Sequence, residues 1–163
     1  MAKERDVPGI DGEVPYATAA ARVVRVRAAE VGEKSGGVLN VAEIERVHAM
    51  RVATRRLRAA LEAFKPCFPK GEFKAALREV KAIADALGER RDRDVAIAAL
   101  ERFARGAEEL ERPGIESLIA GFRAEQLEAN EELREFVDEA RLRALTDRLA
   151  SLVAAAERKG TKG

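Results

Sequence analysis

Between Asn40 and Pro66 the chain carries two separate lines of residues at helical spacing, and no Gly or Pro interrupts them. Set at about 100° per residue, Met50, Ala53, Leu57, Ala60, Leu61 and Phe64 fall within an arc of roughly 100°, an ordinary core face. His48, Arg51, Arg55 and Arg58 fall in a second arc, well apart from the first. Their spacings of three, four and three residues stack them along one side of a helix, over on the order of 15 Å. A strand, with its period of two, would scatter both sets. The segment is therefore a helix with one face for packing and another for something charged, and such a helix needs other helices around it. The composition supplies them: Ala, Leu, Arg and Glu dominate, while aromatics make up 4%. These are strong helix formers with small or flexible side chains, so the chain is read as all-α.

Punctuation divides the rest. Residues 1–14 hold Pro8, Gly9 and Gly12 among charges without periodicity, and are expected to be a flexible lead-in. Pro15 suits a first helical position, and Ala17, Ala20, Val24, Ala28 and Val31 share one face up to about Lys34. Ser35-Gly36-Gly37 ends that helix. Asn40 and Glu43 form a capping-box-like start for the second, which stops at Pro66. A third is expected over about 72–87, with Phe73, Leu77, Val80, Ala84 and Leu87 on its core face and Gly88 ending it. A fourth starts near Asp92 and runs to about Leu110, before Pro113-Gly114. Residues 115–157 read as one long helix or two with a bend near Ala140, and 159–163 as a frayed end. The sum is one domain, residues 15–158, built as an antiparallel helical bundle of five or six helices.

One cysteine, Cys67, excludes an internal disulfide framework. No apolar run resembles a signal peptide or reaches the length of a membrane span, so the expected compartment is the cytoplasm. The net charge of +1 alone argues against a polyanion as ligand, but the distribution argues otherwise. Residues 46–93 hold 13 Lys/Arg against 6 Asp/Glu, and residues 94–145 hold 7 against 13. A nearly neutral molecule can thus present a strong local field.

That field centres on the second helix. Like charges at these spacings repel by roughly a few tenths of a kcal/mol per pair, and no acid stands in the line from His48 to Arg58. A row of guanidinium forks suits phosphate oxygens, which it binds in pairs. The third helix repeats the device with Lys74, Arg78 and Lys81, and two antiparallel neighbours would let both lines flank one groove. The plain alternative is that both lines are solvated faces. A metal site at His48 is disfavoured, since there is no second His. No cofactor is called for.

His48-Ala-Met-Arg51-Val52-Ala-Thr-Arg55-Arg56-Leu57-Arg58-Ala-Ala-Leu61 resembles the signature of the CHAD family, the conserved histidine α-helical domain. Leu87-Gly88-Glu-Arg-Arg91-Asp92-Arg-Asp94-Val95 resembles that family's second motif, Leu-Gly-x-x-Arg-Asp-x-Asp-Val. The resemblance covers residues 43 to about 100 and is compatible in pattern elsewhere. It implies a helical bundle whose basic groove or pore binds inorganic polyphosphate without catalysis, and with it an association with polyphosphate granules. His48, Arg51, Arg55 and Arg58 would line the groove, with Lys81 and Arg78 from the next helix. Arg56, off the line of the second helix, and Lys74, on the line of the third, complete the candidate cations. Arg91 would reach the anion or pair with Asp92, and Asp92 and Asp94 would hold cations in place. Larger members resemble two such halves. This chain resembles one, so either its groove is short or two chains combine as a homodimer.

Other classes remain. A single-stranded nucleic-acid binder would use exposed aromatics, and a duplex binder a helix-turn-helix; neither pattern is present. An enzyme acting on polyphosphate or nucleotides would need metal-binding carboxylates or a nucleophile, for which only Asp92 and Asp94 are placed by the motif. No P-loop occurs. A helical protein–protein adaptor would use the acidic C-terminal region and have no need of the arginine line.

Overall fold

The computed structural model describes residues 5–161; the first four residues of the lead-in, and Lys162 and Gly163 at the tail, lie outside it. Five helices follow one another: α1 (Tyr16–Lys34), α2 (Ile44–Ala63), α3 (Lys70–Ala104), α4 (Arg112–Phe136) and α5 (Glu139–Gly160), with no strand among the described residues. α1 starts after Pro15, whose φ of −55° presets the helical entry. It ends where Ser35 donates back to the Gly32 carbonyl and Gly37 takes a φ of 70°, a left-handed turn open to glycine. α2 stops ahead of Pro66, which sits in a single 3-10 turn at Lys65–Cys67. Residues 5–14 form no helix but are tied to α1: the Arg5 amide donates to Glu30, and Arg22 donates to the Gly9 carbonyl.

Several boundaries differ from the sequence expectation, among them the end of α3, which comes at Ala104 and not near Leu110. Residues 70–104 form one helix where two were expected, because Gly88 does not end it. An interior glycine costs roughly 1 kcal/mol relative to alanine. Leu87, Arg90, Asp94 and Ile97, all buried immediately before and after Gly88, keep the helix continuous through packing on both sides. Asp92 is accordingly an interior residue and caps nothing. The bend expected near Ala140 is a full break at Val137–Asp138, where the Asp138 carboxylate accepts from the Ala140 and Arg141 amides as an N-cap. Asn40 and Glu43 do contact each other, Nδ2 to Oε1 at 3.0 Å, but in a turn that precedes α2, which begins at Ile44. Pro113 lies inside the first turn of α4.

α1, α2, the N-terminal half of α3, and α5 form a four-helix body, with neighbours in the order α1–α2–α3–α5. Its core takes Ala20, Val24, Val47, Met50, Leu57, Leu61, Val80, Ile83, Leu149 and Leu152, each at most 3% exposed. α1 and α5 come so close at one end that a Cβ on Gly160 would lie 3.1 Å from the Thr18 backbone nitrogen. Past the N-terminus of α2, α3 continues alone and α4 folds back along it, making a two-helix arm. The arm has its own small apolar cluster of Ile97, Ile115 and Ile119 with Leu100 and Phe122. Between that cluster and the main core lies a buried polar layer. Arg90 donates to Asp94 at 2.7 Å, the Gln126 amide donates to the other Asp94 oxygen at 2.6 Å, and Asn130 donates to the Leu39 carbonyl.

Candidate functional site

Because Met50, Leu57 and Leu61 are drawn into the core, the helical period turns the second line of α2 toward the outer side of its contact with α3. Arg51, Arg55 and Arg58 line a depression of about 360 Å³ there, and its other wall is α3 at Ala84, Asp85, Gly88, Glu89 and Asp92. Arg51 and Arg55 have no ion-pair partner among the described residues. Arg58 is held by Glu62 at 3.2 Å, and Lys81 reaches the same Glu62 oxygen at 3.5 Å. One carboxylate thus draws a cation from each helix to one end of the groove. These pairs are more than two-fifths exposed, so each contributes at most about 1 kcal/mol to stability. Their effect is on position.

Arg91 is not among the residues that line the depression: it is turned to the start of α2, where it donates to the Ile44 carbonyl at 3.3 Å and lies 3.7 Å from Glu45. The pairing with Asp92 considered from the sequence does not form: residues adjacent on a helix point 100° apart. Asp92 instead stands exposed on the groove wall opposite the arginines, with Asp85 and Glu89. The wall is mixed in charge: the sequence reading had named Asp92 among its acids, but not Asp85 or Glu89. His48 is half-buried one turn beyond Ile44, and its Nδ1 is buried without a protein partner.

Lys74 and Arg78 face solvent on α3 nearer its N-terminus, where with Lys81 they line a second depression of about 430 Å³. They are not part of the α2–α3 groove itself. Arg56 is not there either. It lies half-buried on the α1 side of α2, close enough to Glu30 for its charge to act on that carboxyl. Burial pushes Glu30 up, but the Arg27 hydrogen bond, the Arg5 amide and the charges of Arg27 and Arg56 outweigh it and leave it below the usual carboxylate range.

Asp94 is 1% exposed and belongs to the root of the arm, away from the groove wall. Burial pushes its carboxyl up, and burial likewise pushes the Arg90 guanidinium down, each partly offset by the other. Arg90, wholly buried, was missed by sequence reasoning. The signal was its place three residues after Leu87 and four before Asp94, which puts it on the core line of α3. Arg148 was missed too. It stands on α5 beside Arg78 and Arg141 around a depression of about 280 Å³, a contact between distant parts of the chain that periodicity does not reveal. Among the described residues no group of three or more His, Cys, Asp and Glu is arranged to hold a metal ion. No described helix is long and apolar enough to cross a membrane.

Neither the curated proteins nor the solved structures include a match to this chain. The family described as the CHAD domain matches residues 20–162, which takes in all five helices apart from the first residues of α1. With the His48–Arg58 line and the Leu87–Val95 motif both inside that range, the chain belongs to the CHAD domain family.

Proposed function

We propose that the chain binds inorganic polyphosphate along the α2–α3 groove and carries out no chemistry on it. The observation that carries this reading is that Arg51 and Arg55, without ion-pair partners among the described residues, stand beside Arg58 on one groove wall. Guanidinium groups in a row without ion-pair partners repel one another, and a linear phosphate anion on the α2 wall, across from Asp85, Glu89 and Asp92, relieves that repulsion while taking paired hydrogen bonds. Membership of the CHAD domain family is consistent with a polyphosphate-related role. Arg58 and Lys81, both at Glu62, extend the row, while Arg91 and His48 stand toward the start of α2, outside the lining of the depression. Hydrolysis is the weaker reading, since Asp94 is buried against Arg90 and Gln126, and Asp85, Glu89 and Asp92 at the groove form no group arranged to hold a metal ion among the described residues. An adaptor role would leave the unpaired arginines without a use.

Parallel titrations of the purified protein with long-chain polyphosphate, duplex DNA and a short phosphate ester test the reading. Binding to polyphosphate well above that to the other two is expected, and equal binding to DNA would overturn it. We propose also that two chains pair through the arm. Of the large apolar side chains exposed among the described residues, Val95, Phe103, Leu110, Leu118 and Leu127 all lie on it or its loop. Twofold pairing is the commonest assembly of soluble proteins and would set two arginine rows in one particle. Light scattering should give about twice the 17.8 kDa chain mass. A stable species at the chain mass itself would end that proposal.

A further inference from the structure

The cationic surface does not stop at the α2–α3 groove. Asp85 is shared between that groove and the depression lined by Lys74, Arg78 and Lys81. Arg78 in turn is shared between that depression and the one against α5, where Arg148 and Arg141 stand. The three depressions therefore adjoin in series around α3, an oblique track whose joints are a carboxylate, Asp85, and a guanidinium, Arg78. It enters between α2 and α3 near Asp92, crosses the exposed side of α3 and ends between α3 and α5. From Asp92 back to Ala75 it advances about 25 Å along the helix axis.

The pairing pattern along the track is informative. Glu79 is the carboxylate that lines the α5 end, and it is engaged by Arg141, which also donates to the Glu135 carbonyl and lies 4.5 Å over the Phe136 ring. With Glu79 engaged by Arg141, Arg78 and Arg148 share a small depression without a counterion among the described residues, and Lys74 above them is equally unpaired. A neighbouring hollow leads from Lys74 toward Lys65 and Lys70, but its floor is Phe68, Phe73 and Leu77, which offers phosphate oxygens nothing to bond. Both hollows are cationic, and it is polarity that favours the one against α5.

We infer that this track is a second station for the polyanion, so that Arg148, with Arg78, makes the protein select long phosphate chains over short ones. The inference rests on the polyphosphate reading of the α2–α3 groove and adds to it a determinant on α5. A short phosphate chain fills one depression and gains nothing from the far station. A long one bridges both, and the second contact is intramolecular once the first has formed.

The test compares binding of long-chain polyphosphate and of tripolyphosphate to the full chain and to Arg55→Ala, Arg148→Glu and Arg143→Glu, with circular dichroism confirming that each is folded. Arg143 lies on α5 as well, paired to Glu139 outside the track, and controls for net charge. Arg148→Glu should weaken long-chain binding about tenfold and leave tripolyphosphate within about twofold, while Arg143→Glu changes neither by more than about twofold. Long-chain binding that survives Arg148→Glu while Arg55→Ala weakens both ligands would overturn the extension and leave the groove reading standing. An equal loss for both ligands, or an equal loss with Arg143→Glu, would reduce Arg148 to a general field effect and overturn it as well. Indifference to both Arg55→Ala and Arg148→Glu would remove the groove reading together with the extension.

Discussion

The arm and the α2 face are built from nearly the same residue types and use them in opposite ways. On the arm, Arg93 lies against Glu89 and Glu125, Arg123 against Glu101, and Arg134 against Glu131. On α2, Arg51 and Arg55 have no such partner among the described residues, and Arg58 shares its glutamate with Lys81. Exposed pairs of the first kind each contribute about 0–1 kcal/mol and cancel the local field. Leaving cations without ion-pair partners gives up that small gain and leaves a local field on the α2 wall, which among the described residues only the carboxylates across the groove oppose. Composition cannot separate the two regions. Only the positions of the glutamates do.

The most severe way to break the comparison is at the joint between the regions. Asp94→Ala leaves the Arg90 guanidinium wholly buried without its carboxylate, and is expected to cost about 3–5 kcal/mol in denaturant unfolding. Replacing both, Arg90→Met with Asp94→Leu, should recover much of that loss, since the unpaired charge goes too. A single Asp94→Ala variant as stable as the parent would show that the polar layer does not hold the arm. Next in size are the two cores. Leu57→Ala should cost about 2–5 kcal/mol and destabilise the whole body. Ile119→Ala, in a cluster of three buried residues, should instead raise hydrogen exchange in residues of α4 and the end of α3 while the α1 and α2 amides stay protected. Uniform loss of protection would mean that arm and body unfold as one.

What the sequence made legible follows from what periodicity measures. The core faces of α1 and α2 and the arginine line were largely readable because each is set within one helix by the 100° step: Ala20, Val24, Val31, Met50, Ala53, Leu57, Ala60 and Leu61 are buried as read, while Ala17, Ala28 and Phe64 are only half-buried and the buried Arg27 and Glu30 were not foreseen. α3 was misread because Gly88 is a stop signal by propensity, while burial against α2 on one side of it and α4 on the other decides the outcome. The same limit applies to the site. Which helix lies opposite α2 was a conjecture from the sequence, and the structure sets α3 there. That Asp85, Glu89 and Asp92 share the wall, that Arg56 turns to α1, and that Arg148 joins Arg78 are facts of packing between elements, which no single-helix pattern contains.

Smaller effects sharpen the contrast in binding. Arg55→Ala should weaken polyphosphate binding about tenfold, on the order of 1.4 kcal/mol, while moving stability by no more than about 0.5 kcal/mol. Arg123→Ala on the arm should leave binding unchanged, because its charge is already matched by Glu101. A loss from Arg123→Ala equal to that from Arg55→Ala would erase the distinction between matched and unmatched cations. The smallest expected effect is on stability against pH. Glu30 is held below its ordinary value in the folded chain, so its contribution is present above the unfolded carboxylate value and is lost as pH falls through the folded one. Glu30→Gln should flatten that part of the acid limb of the stability curve, and an unchanged limb would contradict the assignment.

The central claim is that unpaired arginines on α2 leave a field for a phosphate chain, and the salt dependence of polyphosphate affinity reads that field most directly. The account predicts that the logarithm of the affinity falls linearly and steeply with the logarithm of salt concentration, as counterions are released from the polyanion. It predicts also that the Arg51→Ala, Arg55→Ala double variant has a shallower slope, by roughly 0.7 for each phosphate that the protein no longer neutralises. An affinity indifferent both to salt and to this double substitution would contradict it.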